Sequence, residues 1–324
     1  MTLRRRDVLG IGIGGGLATA WLGGLPAGSV WAREVTLRAA YNRFASLLQY
    51  FAANEQGFFQ AEGIKLDDAF TPPHLTMPGL ASSQFDFAFH NMLDIAQINL
   101  KGVSVKIVYP GAVLSEQHLY SQIVVPSGSP VRTAKDLEGR TVAVALLRSS
   151  VELLLKTWLS ANGADPEKVT LVAVGADGVV PAVKSRQFDA VYAIEPALTI
   201  ITGQKLGEAI AYPQIVPGSP LLVTGFIARE AWLEKNGDTA QAIVRALERS
   251  TRWLMAHPGE IPGIMVRNSR IEESLARKMI HPGLTLVAQR ADLQPFFDAA
   301  VKFKLLPSPV DACGLLSTFC PREC

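Results

Sequence analysis

The first 312 residues contain no cysteine. The three cysteines of the chain, Cys313, Cys320 and Cys324, crowd its C-terminal end. A mid-chain cysteine-rich iron site is therefore excluded, and no His lies close enough in sequence to complete a metal site with the terminal cysteines. Excess charge of either sign is also missing: 31 Lys and Arg stand against 29 Asp and Glu, for a net charge of +2. With no long basic run and no basic stripe interleaved with aromatics, nucleic acid is not an expected partner. The chain has no G-x-S-x-G, no H-E-x-x-H and no P-loop, so none of these catalytic signatures supports an enzyme. It also lacks a low-complexity linker and a fine-period repeat. What is present is apolar material. Hydrophobic residues make up 48% of the 324 and charged residues 19%, enough for buried cores and for about two domains.

The N-terminal stretch differs from the rest. Arg4-Arg5-Arg6-Asp7-Val8-Leu9 leads into an uncharged, Gly- and Ala-rich run from Val8 to Val30, and Ala32 precedes Arg33. A basic start, a moderately apolar middle and a small residue before a cut read as a secretory signal. Paired arginines ahead of Leu9 look like the twin-arginine (Tat) export signal for folded proteins. The alternative is a membrane-spanning helix, for which the run is long enough. Glycines at 10, 12, 14, 15 and 16 dilute its hydrophobicity and favour a cleavable signal. Removing residues 1–32 takes three Arg and one Asp and leaves 28 basic and 28 acidic residues. No later uncharged run has membrane length. A periplasmic location would allow one disulfide and leave one thiol over. Cys313 with Cys320 is sterically feasible, but the pairing stays open.

From residue 33 onward short strands alternate with helices. Strands are expected at Val35–Ala40, Ile64–Leu66, Phe85–Phe89 and Lys106–Tyr109. A helix is expected from about Ser46 to Glu62, where Leu47, Leu48, Phe51, Phe58 and Phe59 recur at helical spacing. A second series has strands at Thr141–Ala145, Val169–Val174 and Ala190–Ile194, with a helix over Val151–Asn162. Thr239–Ala256 carries Ile243, Leu247 and Leu254 on one face, an amphipathic helix that Pro258 ends. This alternation implies an α/β architecture with parallel sheets in two lobes, the chain crossing between them twice.

Four segments, in order, resemble one family. They are Gly57-Phe58-Phe59-Gln60-Ala61-Glu62-Gly63, Leu80-Ala81-Ser82-Ser83-Gln84-Phe85-Asp86, Asp136-Leu137-Glu138-Gly139-Arg140-Thr141-Val142-Ala143, and Asp189-Ala190-Val191-Tyr192-Ala193-Ile194-Glu195-Pro196. Together they look like the nitrate/sulfonate/taurine-type substrate-binding proteins of ABC importers, a group that also takes thiamine-pyrimidine precursors. Ser83 stands where that family usually has Gly. The resemblance implies a type II periplasmic-binding-protein fold with two α/β lobes joined by a two-strand hinge. Lobe one would be 33–122 plus 223–324, and lobe two 123–222. It further implies a small-molecule ligand, an ABC permease in the inner membrane as partner, no cofactor and a monomeric protein. Competing readings are a periplasmic ligand-sensor subunit and an enzyme of the same fold, such as a thiamine-pyrimidine synthase.

In open α/β sheets ligands sit beyond the carboxyl ends of the strands, often at helix N-termini. That rule selects four loops. Asn42, Phe44 and Ser46 follow the first strand, and His90 and Asn91 the third. Arg148, Ser149 and Ser150 open a helix, and Glu195 ends the strand at 190–194. Ser149 and Ser150 would offer backbone N–H groups to an anion or act as plain N-caps. Arg148 would donate to a carboxylate or sulfonate, or lie in solvent. Asn91 would also cap the following helix, and His90 would sit on the rim. Glu195 needs a partner, either a ligand amine or ring N–H, or an internal Arg or Lys. An amine-bearing or heteroaromatic ligand is therefore favoured over bare nitrate. Asp86 and Asp189, at the opposite strand ends, are expected to be structural, and Tyr192 to lie in the core. No catalytic residue is expected.

Overall fold

Residues 34–324, apart from 214 and 216–218, are described by a computed structural model. The expected export signal, residues 1–32, lies outside the described residues. Val35–Tyr41 (β1) pairs in parallel with Ile64–Phe70 (β2) and Phe87–Asn91 (β3). Parallel neighbours need crossovers longer than a tight turn. Here Leu48–Glu55 (α1) and Phe58–Ala61 (α2) join β1 to β2, and Pro73–Ala81 (α3) joins β2 to β3. Met92–Leu100 (α4) leads to Val105–Pro110 (β4), and Ala112–Leu114 (β5) follows. The sheet order is β2-β1-β3-β12-β4, with Thr224–Arg229 (β12) returning antiparallel between β3 and β4.

The second sheet uses the same plan. Its strands are Ser121–Pro126 (β6), Thr141–Val144 (β7), Thr170–Ala173 (β8), Ala190–Ile194 (β9) and Gly207–Ala211 (β10). Its helices are Ser150–Ala161 (α5), Val179–Lys184 (α6) and Ala197–Gly203 (α7). The order β8-β7-β9-β6-β10 repeats that of the first sheet, with β6 in the antiparallel place that β12 holds there. The repetition reaches side chains. Gln84-Phe85-Asp86 enters β3 and Gln187-Phe188-Asp189 enters β9. Asp86 accepts from the Arg38 guanidinium through both oxygens, at 2.8 and 2.5 Å. Asp189 accepts from Arg140 at 2.9 Å and from the Thr141 backbone N–H at 2.9 Å. Asp86 ties the start of β3 to β1, and Asp189 the start of β9 to β7, as expected of structural residues.

Between the sheets, Leu221–Leu222 (β11), β5 and Gly283–Leu284 (β13) form a small antiparallel sheet in the order β11-β5-β13. The two crossing segments are thus joined by a third strand from the C-terminal part of the chain. One apolar cluster runs from Ile107 of the first sheet through Val113 to Val142 and Leu155 of the second.

Glu230–Lys235 (α8), Gly237–Ala256 (α9), Ile261–Ser269 (α10), Glu273–Ala276 (α11) and Arg290–Lys302 (α12) follow β12. α9 buries Ala240, Ile243, Leu247 and Leu254 at helical spacing and packs on α1. The chain ends in a strap. Cys313 is bonded to Cys324, Cys320 lies buried between them, and Ala288–Gln289 (β14) pairs with Arg322–Glu323 (β15). Ser317 N–H donates to Ile107 O at 2.9 Å and Lys106 Nζ donates to Gly314 O at 2.7 Å, so the strap covers the outer edge of β4.

Two element boundaries differ from expectation. The helix expected over 46–62 breaks at Gly57, whose φ of 68° is left-handed and ends α1 before Phe58 starts α2. The third strand spans 87–91 rather than 85–89, because Asp86 belongs to the turn that holds Arg38. His90 and Asn91 therefore end the strand instead of following it. Among the described residues no helix is long and apolar enough to cross a membrane.

Candidate functional site

The carboxyl ends of β1 and β3 meet those of β7 and β9. Beyond β1, Asn42 Oδ1 accepts from Phe44 N–H at 3.1 Å, a side-chain turn that steers the chain into a 3-10 turn at Ala45–Leu47. Asn42 and Ser46 are buried, and Phe44 packs half-exposed on the core. Arg43 stacks over the Phe70 ring at 4.2 Å.

At the end of β3, His90 Nε2 lies 3.0 Å from Pro73 O. A carbonyl only accepts, so Nε2 carries a proton. Nδ1 faces the Asn91 side-chain amide at 3.1 Å and Asp94 Oδ2 at 3.1 Å. Burial pushes the Asp94 carboxyl up, against the opposing pull of His90 and Asn91. Asn91 Oδ1 caps α4 by accepting from Asp94 N–H at 3.1 Å, and also accepts from Ser150 Oγ at 3.0 Å. The second contact joins the loops of the two sheets.

Beyond β7, Arg148 is exposed with a left-handed backbone, φ 53°. Its N–H donates to Glu152 Oε2 at 2.7 Å, and its carbonyl accepts from Gln97 Nε2 of α4 at 3.2 Å. Ser149 holds the N-cap position of α5, but its hydroxyl donates to Leu146 O at 2.7 Å instead of capping. Ser150 is the first residue of α5, whose first-turn N–H groups have no acceptor within the helix.

Beyond β9, Glu195 is wholly inaccessible and joined to Pro196 by a cis peptide bond. Its Oε1 accepts from Thr199 Oγ1 at 2.7 Å and from Ile280 N–H at 3.1 Å, and Oε2 accepts from Thr199 N–H at 3.0 Å. Burial raises its carboxyl, and these hydrogen bonds work in the other direction. The internal partners of Glu195 are thus one hydroxyl and two backbone amides, where an Arg or Lys was the expected internal alternative. Plain N-capping by the Ser149 hydroxyl is not what forms, since that hydroxyl donates to Leu146 O. Asn91 caps its helix as expected, and Tyr192 lies in the core with its hydroxyl 3.1 Å from Ser121 Oγ.

The structure therefore brings the expected residues together in two contacts across the lobes, Asn91 with Ser150 and the loop at 45 with Glu195. Asp94, Gln97, Thr199 and Ile280 join them without having been singled out. Asp94 and Thr199 stand four residues from His90 and Glu195, a spacing readable in the sequence. Ile280, 85 positions from Glu195, carries no such signal. Among the described residues no three His, Cys, Asp or Glu side chains gather to hold a metal ion. Two surface hollows lie elsewhere. One of about 480 Å³ is bordered by Trp158, Gln122 and Tyr212, and one of about 440 Å³ by Phe59, Lys65 and Asp68.

A family model described as NMT1/THI5 like matches residues 45–261. The formylaminopyrimidine-binding protein of Halalkalibacterium halodurans is 27% identical over 225 residues, 67% of this chain and 65% of that protein. The nitrate/nitrite binding protein NrtA of Nostoc sp. is 23% identical over 164 residues, 50% of this chain and 36% of that protein. The chain thus spans less than two thirds of the length of these relatives. Among solved structures, the alkanesulfonate-binding protein SsuA from Xanthomonas axonopodis pv. citri bound to MOPS superposes with a TM-score of 0.72 at 18% identity, covering 90% of this chain and 100% of that one. At that identity the likeness shows the fold, two α/β lobes of the periplasmic-binding type.

Proposed function

The chain belongs to the NMT1/THI5-like family, and we propose that it is a solute-binding protein that closes its two lobes on a small polar organic molecule and presents it to an ABC permease. The observation that carries this reading is the meeting of strand-end loops from both sheets, with Asn91 of one lobe hydrogen-bonded to Ser150 of the other. The named relatives, binders of a formylaminopyrimidine, of nitrate and of alkanesulfonates, support a binding rather than a catalytic role.

The ligand-facing set is Asn42, Phe44, Ser46, His90, Asn91, Arg148, Ser149 and Ser150, with Glu195 behind it. Satisfaction of Glu195 within the chain removes the reason to favour an amine. The first-turn N–H groups of α5 and the exposed Arg148 then favour a ligand with one anionic end, such as a sulfonate or carboxylate. Periplasmic location by the twin-arginine route and a monomeric state complete the reading, without nucleic acid or cofactor.

The test is a thermal-shift screen of the mature protein against sulfonates, taurine, nitrate, aromatic carboxylates and pyrimidines. A ligand at 100 times its Kd stabilises by about 2.7 kcal/mol. A panel with no shift, together with no small molecule released on denaturation, would count against the reading. Turnover of a hit would replace binding by catalysis.

A further inference from the structure

We propose that Glu195 is a latch that holds the two lobes closed without ligand; this rests on the reading of the chain as a closing two-lobed binder. Glu195 follows β9 of the second sheet and is anchored there by three hydrogen bonds. Its N–H donates to Tyr120 O at 2.9 Å, and Thr199 donates to the carboxylate through Oγ1 at 2.7 Å and N–H at 3.0 Å. The Thr199 pair sets the carboxylate in one orientation.

Two further bonds reach out of the second sheet. Glu195 O accepts from Ala45 N–H, in the turn beyond β1 of the first sheet, at 3.3 Å. Oε1 accepts from Ile280 N–H, between α11 and the hinge strand β13, at 3.1 Å. A single inaccessible residue thus holds one lobe, the other lobe's first loop and the chain entering the hinge. The helix that follows it packs closely on α11: a Cβ at Gly203 of α7 would lie 2.7 Å from Leu275 Cδ2.

The other contacts across the cleft are of a different kind. Gln97 with the Arg148 carbonyl is exposed, and water replaces such a bond at little cost. Asn91 with Ser150 joins two neutral groups. Opening at Glu195 instead strips a buried carboxylate of a donor and leaves a buried amide unpaired, the costlier event. Among the hydrogen bonds across the cleft, those of this residue resist opening most, and their loss shifts the resting population toward the open form.

The experiment uses the whole mature chain and no ligand, so its outcome is independent of whether the protein binds any member of the panel. Two variants act on the latch from opposite sides. Glu195→Ala removes the carboxylate. Ala45→Pro removes the N–H that reaches Glu195 O, at the start of a 3-10 turn preceded by an extended Phe44 that accepts proline. Small-angle X-ray scattering of wild type is expected to fit the closed form, and both variants to give a larger radius of gyration. Amide exchange gives the discriminating readout. Ala45 N–H keeps its backbone acceptor in Glu195→Ala, yet is expected to exchange at least about tenfold faster because the lobes part. Should Glu195→Ala fail to fold, Ala45→Pro decides by scattering alone. An open wild type, or folded variants with wild-type scattering and unchanged Ala45 exchange, would overturn the proposal.

Discussion

Titration separates two residues near the hinge. His281 is half-buried, its Nδ1 has no hydrogen-bond partner, and its carbonyl lies 3.0 Å from His118 Nδ1. Burial, with His118 adding to it, pushes the His281 imidazole down to about 4 from an ordinary 6.5. The folded state therefore binds fewer protons than the unfolded one, and stability falls as pH drops from 6.5 toward 4. Urea unfolding across that range should show wild type losing about 2 kcal/mol more than His281→Leu. Glu195 has the opposite sign. Its carboxyl is raised from 4.5, so its burial penalty is absent well below pH 4.5 and grows as pH rises through the folded value. Ser83 offers a simpler test. It holds φ 67° just after α3, the conformation glycine accepts without strain. Ser83→Gly should raise stability by about 0.5–1 kcal/mol in a thermal melt, and a loss would contradict the strain assigned to it. At this scale the sequence was legible where a residue's place at the start, middle or end of its strand decides its role. Asp86, Asp189, Asn91 and Tyr192 take the places expected of them. The partners of Glu195 were not legible because one donor, Ile280, is remote in sequence and is a backbone group, which no side-chain pattern announces.

Elements were read from apolar period and stops, and α9 with its buried Leu247 follows the pattern closely. Leu247→Ala should cost about 2–5 kcal/mol, because it empties packing between α9 and α1. The break between α1 and α2 was harder to see: apolar spacing continues through Gly57, and the left-handed turn there interrupts the helix without interrupting the pattern. The strap at the C-terminus was not legible as an element. Its pieces are short, and its form depends on which cysteines pair. Cys313 with Cys324 closes a loop with a separation of 11 residues, which favours the folded state by about 2–3 kcal/mol. Reduction should lower the wild-type melting temperature to that of Cys324→Ser and leave the variant unmoved. If reductant lowers both equally, the bond is not the cause.

For the molecule as a whole, alternation of strands and helices was enough to indicate two α/β lobes. The third hinge strand was not foreseeable, since Gly283–Leu284 is too short to announce itself and gains its place only from β5. The repeated strand order carries a quantitative expectation. Asp86 and Asp189 do the same work in different sheets and share no partner. Asp86→Asn and Asp189→Asn should each destabilise, and the double variant should lose their sum to within about 0.5 kcal/mol. An interaction energy well above that in calorimetry would mean that the sheets respond as one body.

The buried thiol under the strap has a use of its own. Cys320 is 4% exposed, and burial pushes its thiol up to about 12, so it is an unreactive thiol while the strap is seated. A thiol-specific reagent reaches it only when the segment between Cys313 and Cys324 lifts from β4. The rate of Cys320 labelling therefore measures how often the last stretch of chain detaches, and gives the protein an intrinsic probe of its own local opening that needs no engineered site.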